Sequence, residues 1–149
     1  MDVTVGDKTY KVEEGLLYIK THQWARIEGN MVTMGITDYA QQQLGELQLV
    51  DLADAVGAEV SQVQMDGDEP SSDPLDIVSI ESSKAVGDVY SPVSGTVKEA
   101  NEALEDEPET VNSDPYGAGW LLKIEASNLD AEKGNLLDAK AYAEFIKSL

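Results

Sequence analysis

Cysteine is absent from this chain, and histidine occurs once, at His22. Without thiols there is no disulfide, thiolate metal site or Cys nucleophile, so any redox role must reside on an attached group. Positive charge is scarce: 10 Lys and Arg against 29 Asp and Glu leave a formal net charge of −19. Phosphate backbones and anionic lipid headgroups both recruit basic surfaces, which argues against nucleic acid and membrane partners. Long apolar runs are also missing, and none approaches the roughly 20 residues that span a bilayer. Met1-Asp2-Val3-Thr4 lacks the basic and apolar regions of a secretory signal, so a cytoplasmic location is expected.

What is present suffices for a core. The chain has 149 residues, 42% of them hydrophobic. That is the length of one domain over residues 1–149, able to bury about 70% of its unfolded surface. The acidic excess reads as a solvated surface, and the same field steers the protein toward basic partner faces.

Turn signals cut the chain into short segments, the pattern of a mainly β domain. Trp24–Glu28 and Met31–Gly35 read as strands joined by Gly29-Asn30 in a tight hairpin. Asp38–Leu44 reads as a short helix with Thr37 as N-cap and Gly45 just past its end. Leu47–Val50, Leu75–Ile80, Val86–Val89, Thr96–Glu99 and Trp120–Ile124 read as further extended segments. Ala139–Leu149 reads as a C-terminal helix capped by Asp138, with Ala141, Tyr142, Phe145, Ile146 and Leu149 as its core-facing stripe. Met65–Pro74 reads as a flexible acidic surface loop. Asp66 and Asp68 fit the first ligand positions of a calcium loop, but Pro70 and Ser71 stand where a ligand and a glycine are required.

One lysine is unusually placed. Lys84 lies in the turn Glu81-Ser82-Ser83-Lys84-Ala85 between two extended segments. A hairpin tip projects the ammonium rigidly, small neighbours leave it accessible, and Glu81 sets an acidic mark beside it. An exposed lysine is ordinarily a solvated charge. At a tip like this one it is also suited to covalent modification. His22 reads as a structural hydrogen-bonding residue.

Seven ordered pieces resemble the lipoyl-bearing H proteins of the glycine cleavage system. They are His22-Gln23-Trp24, Gly35 through Gln41, Leu44-Gly45, Glu81 through Ala85, Tyr90 through Gly95, Asn101 through Leu104, and Val111-Asn112 followed by Pro115 through Trp120. The resemblance runs from about Leu16 to the C-terminus. It implies a lipoyl-domain-type flattened barrel or sandwich with short helices and a C-terminal helix. It also implies lipoate amide-linked to Lys84, with Glu81 read by the lipoate-attaching enzyme. The arm cleft would be walled by Thr21, Gln23, Ile36, Gln43 and Asp88. On this reading the protein is a non-enzymatic swinging-arm carrier whose partners include dihydrolipoamide dehydrogenase. Biotin carriers share the hairpin lysine but flank it with Met, whereas Ser83 and Ala85 stand here.

The chain departs from the H pattern in two places. Gln23 stands where an acidic residue is usual, and the segment before Glu81 is longer by roughly the length of Met65–Pro74. Both departures resemble the H-like lipoate-binding proteins that serve sulfur oxidation with a heterodisulfide-reductase-like complex. They weigh toward a sulfur cargo, because a neutral amide holds a protonated aminomethyl group less strongly than a carboxylate does. The alternative is a glycine-cleavage carrier that meets glycine decarboxylase and aminomethyltransferase.

Overall fold

In the computed structural model, which describes residues 1–149, the chain opens on a hairpin of β1 (Asp2–Val5) and β2 (Lys8–Lys11). Nothing in the sequence reading anticipated it, although Val3, Tyr10 and Val12 alternate with polar residues about a Gly6-Asp7 turn. β3 (Leu17–Ile19), β4 (Gln23–Glu28) and β5 (Met31–Ile36) follow as an antiparallel meander. Gly29 takes the left-handed conformation (φ 64°) that the β4–β5 hairpin requires.

Helix α1 spans Asp38–Leu44, with Thr37 Oγ1 accepting from the Ala40 amide and Gly45 closing its end. β6 (Leu47–Asp51) and β7 (Glu59–Val60) lead to a small hairpin of β8 (Met65–Asp66) and β9 (Glu69–Pro70). The segment expected to be a flexible loop is therefore paired, with Gly67 at its tip and Ser71 N–H donating to Gln64 O at its base. β10 (Ser79–Ser82) and β11 (Val86–Gly87) frame the lysine turn. β12 (Gly95–Ala100), two single-turn helices α2 (Ala103–Asp106) and α3 (Thr110–Ser113), and β13 (Leu122–Ala126) come next. α4 (Leu129–Glu132), a short 3-10 turn and α5 (Ala139–Lys147) end the chain.

A six-stranded sheet ordered β3-β4-β5-β13-β12-β7 packs on a three-stranded sheet ordered β11-β10-β6. This mainly β sandwich with short helices and a C-terminal helix is the architecture expected. Several boundaries move, and the extended segment expected over Val86–Val89 ends at Gly87. Leu75 is held by its N–H to Val89 O, but Asp76 and Ile77 turn, so the strand begins only at Ser79. The late strand starts at Leu122 rather than Trp120. On α5 the buried face is Ala139, Tyr142, Ala143 and Ile146, while Ala141 and Leu149 are exposed.

Two large cores fill the interior, beside a small third cluster of Ile19, Val63 and Tyr90. Between the sheets lies an aliphatic core that includes Val32, Met34, Val50, Ile80, Val97 and Ile124. Beneath the N-terminal hairpin and α5 lies an aromatic one, with Tyr10, Tyr18, Trp24, Tyr116 and Tyr142. Its polar tips find partners: Trp24 Nε1 donates to Pro115 O at 3.0 Å and Tyr18 Oη donates to Glu13 O at 2.6 Å. Such pairing is the condition for burying large aromatics that carry a donor.

Candidate functional site

The lysine turn is folded from within by one serine. Ile80 faces Gly87 and Glu81 faces Val86 across the β10–β11 ladder. Ser82 N–H then donates to Ala85 O at 2.9 Å, and Ser82 Oγ accepts from the amides of Lys84 (3.3 Å) and Ala85 (3.2 Å). A serine that bonds the backbone this way fixes a turn without needing glycine. Lys84 is exposed at the tip, and its stem lies over Gly45.

Gly45 had been read only as the end of a helix, and its second role was missed. It sits at φ 82°, and a Cβ there would stand 3.1 Å from Lys84 Cε. Any other residue would both strain the backbone and lift the lysine. The platform is anchored by Asn112, whose Nδ2 donates to Gly45 O (2.8 Å) and Gln41 Oε1 (2.9 Å), while its Oδ1 accepts from Leu47 N–H (2.8 Å). The Val111-Asn112 motif thus acts on the lysine's seat from far along the chain.

Beside this seat is a cavity of about 180 Å³. Thr21, Gln23, Ile36, Gln43 and Asp88, the residues expected to wall an arm cleft, all line it together. Leu44, Ile80 and Gly87 carry its apolar floor toward the lysine turn. A Cβ on Gly87 would collide with the Ile80 and Leu44 side chains, so glycine is needed at that position too. Glu81 is exposed and does not line the cavity; it remains at the foot of the turn. A roomier hollow of about 260 Å³ between β3 and the β8–β9 hairpin shares none of these residues.

Gln23 is 1% exposed, and its Oε1 accepts from Thr21 Oγ1 at 2.5 Å. Asp88 is the one carboxylate in the cavity lining. His22 also lines it, in a left-handed conformation (φ 74°) that forces the β3–β4 connection to turn sharply. Its Nδ1 lies 2.8 Å from Tyr142 Oη, which lies 2.7 Å from Thr37 Oγ1, the N-cap of α1. The ring leans on Tyr39 (4.5 Å) and Phe145 (5.8 Å between centroids), and burial lowers its pKa to about 4. A neutral imidazole in such a network positions its neighbours, as the sequence reading held. That it also faces the cavity was not foreseen.

The family model described as Glycine cleavage H-protein matches residues 16–149. The chain belongs to the glycine cleavage H-protein family. It is 48% identical over 148 residues to the "Probable glycine cleavage system H protein" of Pyrococcus abyssi, covering 99% of each chain. It is 46% identical over 133 residues to the "Glycine cleavage system H protein" of Rubrobacter xylanophilus, covering 89% of this chain and 93% of that one. A solved glycine cleavage system H protein from Mycobacterium marinum superposes with a TM-score of 0.72 at 33% identity, over 89% of this chain and 97% of that chain. These relatives carry the glycine cleavage name, so they favour the aminomethyl alternative over the sulfur cargo first weighed from Gln23. The H-protein match begins at residue 16, yet the Pyrococcus relative aligns over nearly the whole chain, N-terminal hairpin included.

Proposed function

We propose that this chain, acting as one unit over residues 1–149, is a lipoyl carrier of glycine cleavage with lipoate amide-linked to Lys84 Nζ. The observation that carries the reading is the juxtaposition of an exposed turn lysine, a glycine seat beneath its stem, and a cavity opening beside that seat. The donor set fits an amphipathic arm: Ile36, Leu44 and Ile80 offer apolar contact, while Thr21, Gln23 and Gln43 offer polar contact. The bound group would supply a cyclic disulfide, one sulfur accepting a cargo while the other becomes a thiol. Tethering raises the effective concentration of the arm at any docked partner.

The chain's own residues account for the rest. Glu81, standing clear of the cavity, is free to be read by the lipoate-attaching enzyme. Asp88 supplies the cavity with a negative charge that holds a protonated aminomethyl amine, a role the neutral Gln23 leaves to it. Glycine decarboxylase and aminomethyltransferase would load and unload the arm, and dihydrolipoamide dehydrogenase would reoxidise it. The protein itself is their substrate rather than a catalyst.

The test is intact mass and peptide mapping after co-expression with a lipoate ligase, followed by glycine-dependent CO2 release with the partner enzymes. We expect modification at Lys84 alone and none in Lys84→Arg. Asp88→Asn should lower aminomethyl transfer by about tenfold or more, the worth of one charge-assisted contact. Modification of a different lysine would overturn the attachment site. Full lipoylation with no glycine-dependent CO2 release would return the sulfur cargo to first place.

A further inference from the structure

We propose that the N-terminal hairpin is a positioning element of the arm cleft, acting through Tyr10. This rests on the carrier reading above for what the cleft holds, but the brace itself is built from contacts within the chain. Tyr10 is 4% exposed and packs its ring on Tyr39 at 4.8 Å between centroids. Tyr39 in turn leans on His22 at 4.5 Å, and both line the cavity. The Tyr10 hydroxyl accepts from Gln43 Nε2 at 3.3 Å, and Gln43 lines the same cavity. One residue of β2 therefore touches two residues of α1, one turn apart, that line the cleft.

The hairpin is fastened where this matters. Lys11 N–H donates to Asp38 Oδ2 at 2.8 Å in the first turn of α1, and Gln42 Nε2 donates to Thr9 O at 3.1 Å along it. Tyr116 Oη donates to Lys11 O at 2.7 Å from the far side. Val3, Tyr10 and Val12 are buried with Tyr142 and Ile146 of α5. A glutamine side chain has several rotamers, and an exposed one samples them freely. Gln43 is itself exposed, and the hydroxyl of the buried Tyr10 ring narrows that choice by holding its Nε2 end.

The experiment compares the unaltered protein with Tyr10→Phe, which keeps the ring and removes the hydroxyl, and with Thr4→Val on the outer face of the hairpin. The first readout is the NMR signal of the Gln43 side-chain amide in the unlipoylated full-length chain. The second is the rate at which a maleimide alkylates the reduced arm of the lipoylated protein. The chain has no cysteine, so every reacting thiol belongs to the arm. We expect Tyr10→Phe to move the Gln43 amide signals and speed alkylation by about two- to tenfold, the range of one neutral hydrogen bond. Thr4→Val should change neither. Gln43→Leu, which removes the amide with the hairpin intact, should reproduce the faster alkylation. Unmoved Gln43 signals in Tyr10→Phe, unchanged alkylation, or an equal response from Thr4→Val would each overturn the brace. If Lys84 carries no lipoyl mass, the carrier reading falls and the Gln43 signals still decide the brace.

Discussion

The aliphatic core between the sheets and the aromatic core beneath α5 are built from the same chain by different means. The first is filled by alternating strand residues with no polar atoms to satisfy, and its stability follows buried area and packing. The second buries rings that carry hydroxyls and an indole N–H, each needing a partner, so its packing is also a hydrogen-bond network. The cavity beside Lys84 lies at the seam. Ile36 and Ile80 come from the aliphatic side, while His22 and Tyr39 border the aromatic one. A wall of each kind suits the proposed arm, which has an apolar chain and a polar cargo. The aliphatic core supplies adhesion, and the aromatic core supplies oriented polar groups.

The largest expected effect separates stability from site geometry. Ile124→Ala, in the middle of the aliphatic core at 0% exposure, should cost about 2–5 kcal/mol in denaturant unfolding. It should leave access to the reduced arm nearly unchanged, because Ile124 does not line the cavity. Tyr142→Phe keeps the ring and removes only the hydroxyl, which leaves His22 Nδ1 and Thr37 Oγ1 without their shared partner. It should cost less, about 1–3 kcal/mol, yet alter arm access more. If the larger stability loss also brings the larger change in access, the division of labour between the cores is wrong.

Acid should distinguish the cores next. Only the aromatic side carries a histidine, held neutral by burial with its pKa lowered to about 4. In the unfolded chain that group titrates near 6.5, so between those values the unfolded state binds more protons. Stability is therefore full above about pH 6.5 and falls as pH drops toward 4, by up to about 3 kcal/mol from this group. His22→Asn keeps a residue that tolerates the left-handed backbone but removes the titration. Unfolding free energies of the two proteins, measured from pH 7 to 4, should converge as pH falls. Parallel curves would show that His22 is free to charge in the folded state.

These contrasts also explain what could be read in advance. Thr37, Asp38–Leu44 and Gly45 carry their signals within one short contiguous stretch, and the α1 boundaries followed directly. Lys84 was legible because a polar turn between apolar segments is a local pattern. The cleft residues were named from family resemblance, since Thr21, Ile36 and Asp88 have no local feature that would bring them together. The lysine's seat on Gly45 and its anchor at Asn112 join distant segments through side-chain hydrogen bonds, which periodicity does not encode. The N-terminal hairpin was the avoidable omission. Its alternation and Gly-Asp turn were visible, but the chosen family pattern began at Leu16. The β8–β9 hairpin was read as a loop because its strands are two residues each, too short for alternation to register.

That hairpin, outside both cores, should give the smallest effect. Its base is held by Ser71 N–H to Gln64 O at 2.7 Å and Gln64 N–H to Ser72 Oγ at 3.0 Å. Its tip is tied to the body by Lys20 Nζ and Asp68 Oδ1 at 2.5 Å, with side chains 33% and 63% exposed. A pair this open to solvent is worth about 0–1 kcal/mol, because water and salt screen it and both side chains lose freedom in making it. Asp68→Asn should therefore shift unfolding by no more than that, and the shift should shrink in 1 M salt, where the screening length falls to about 3 Å. Replacing Asp66–Glu69 by a two-residue turn should change stability little more, since loop closure varies slowly with length. Met65 stays in place in that variant, and it is Met65 that packs on Ile19, Val63 and Tyr90. A loss above about 2 kcal/mol from either change would mean that the hairpin packs as part of the body. The same Lys20 and Asp68 border a second depression that shares Thr21, His22 and Asp88 with the cavity beside Lys84. A variant that unfolds normally but transfers cargo poorly would thus place the hairpin's contribution at the cleft mouth rather than in either core.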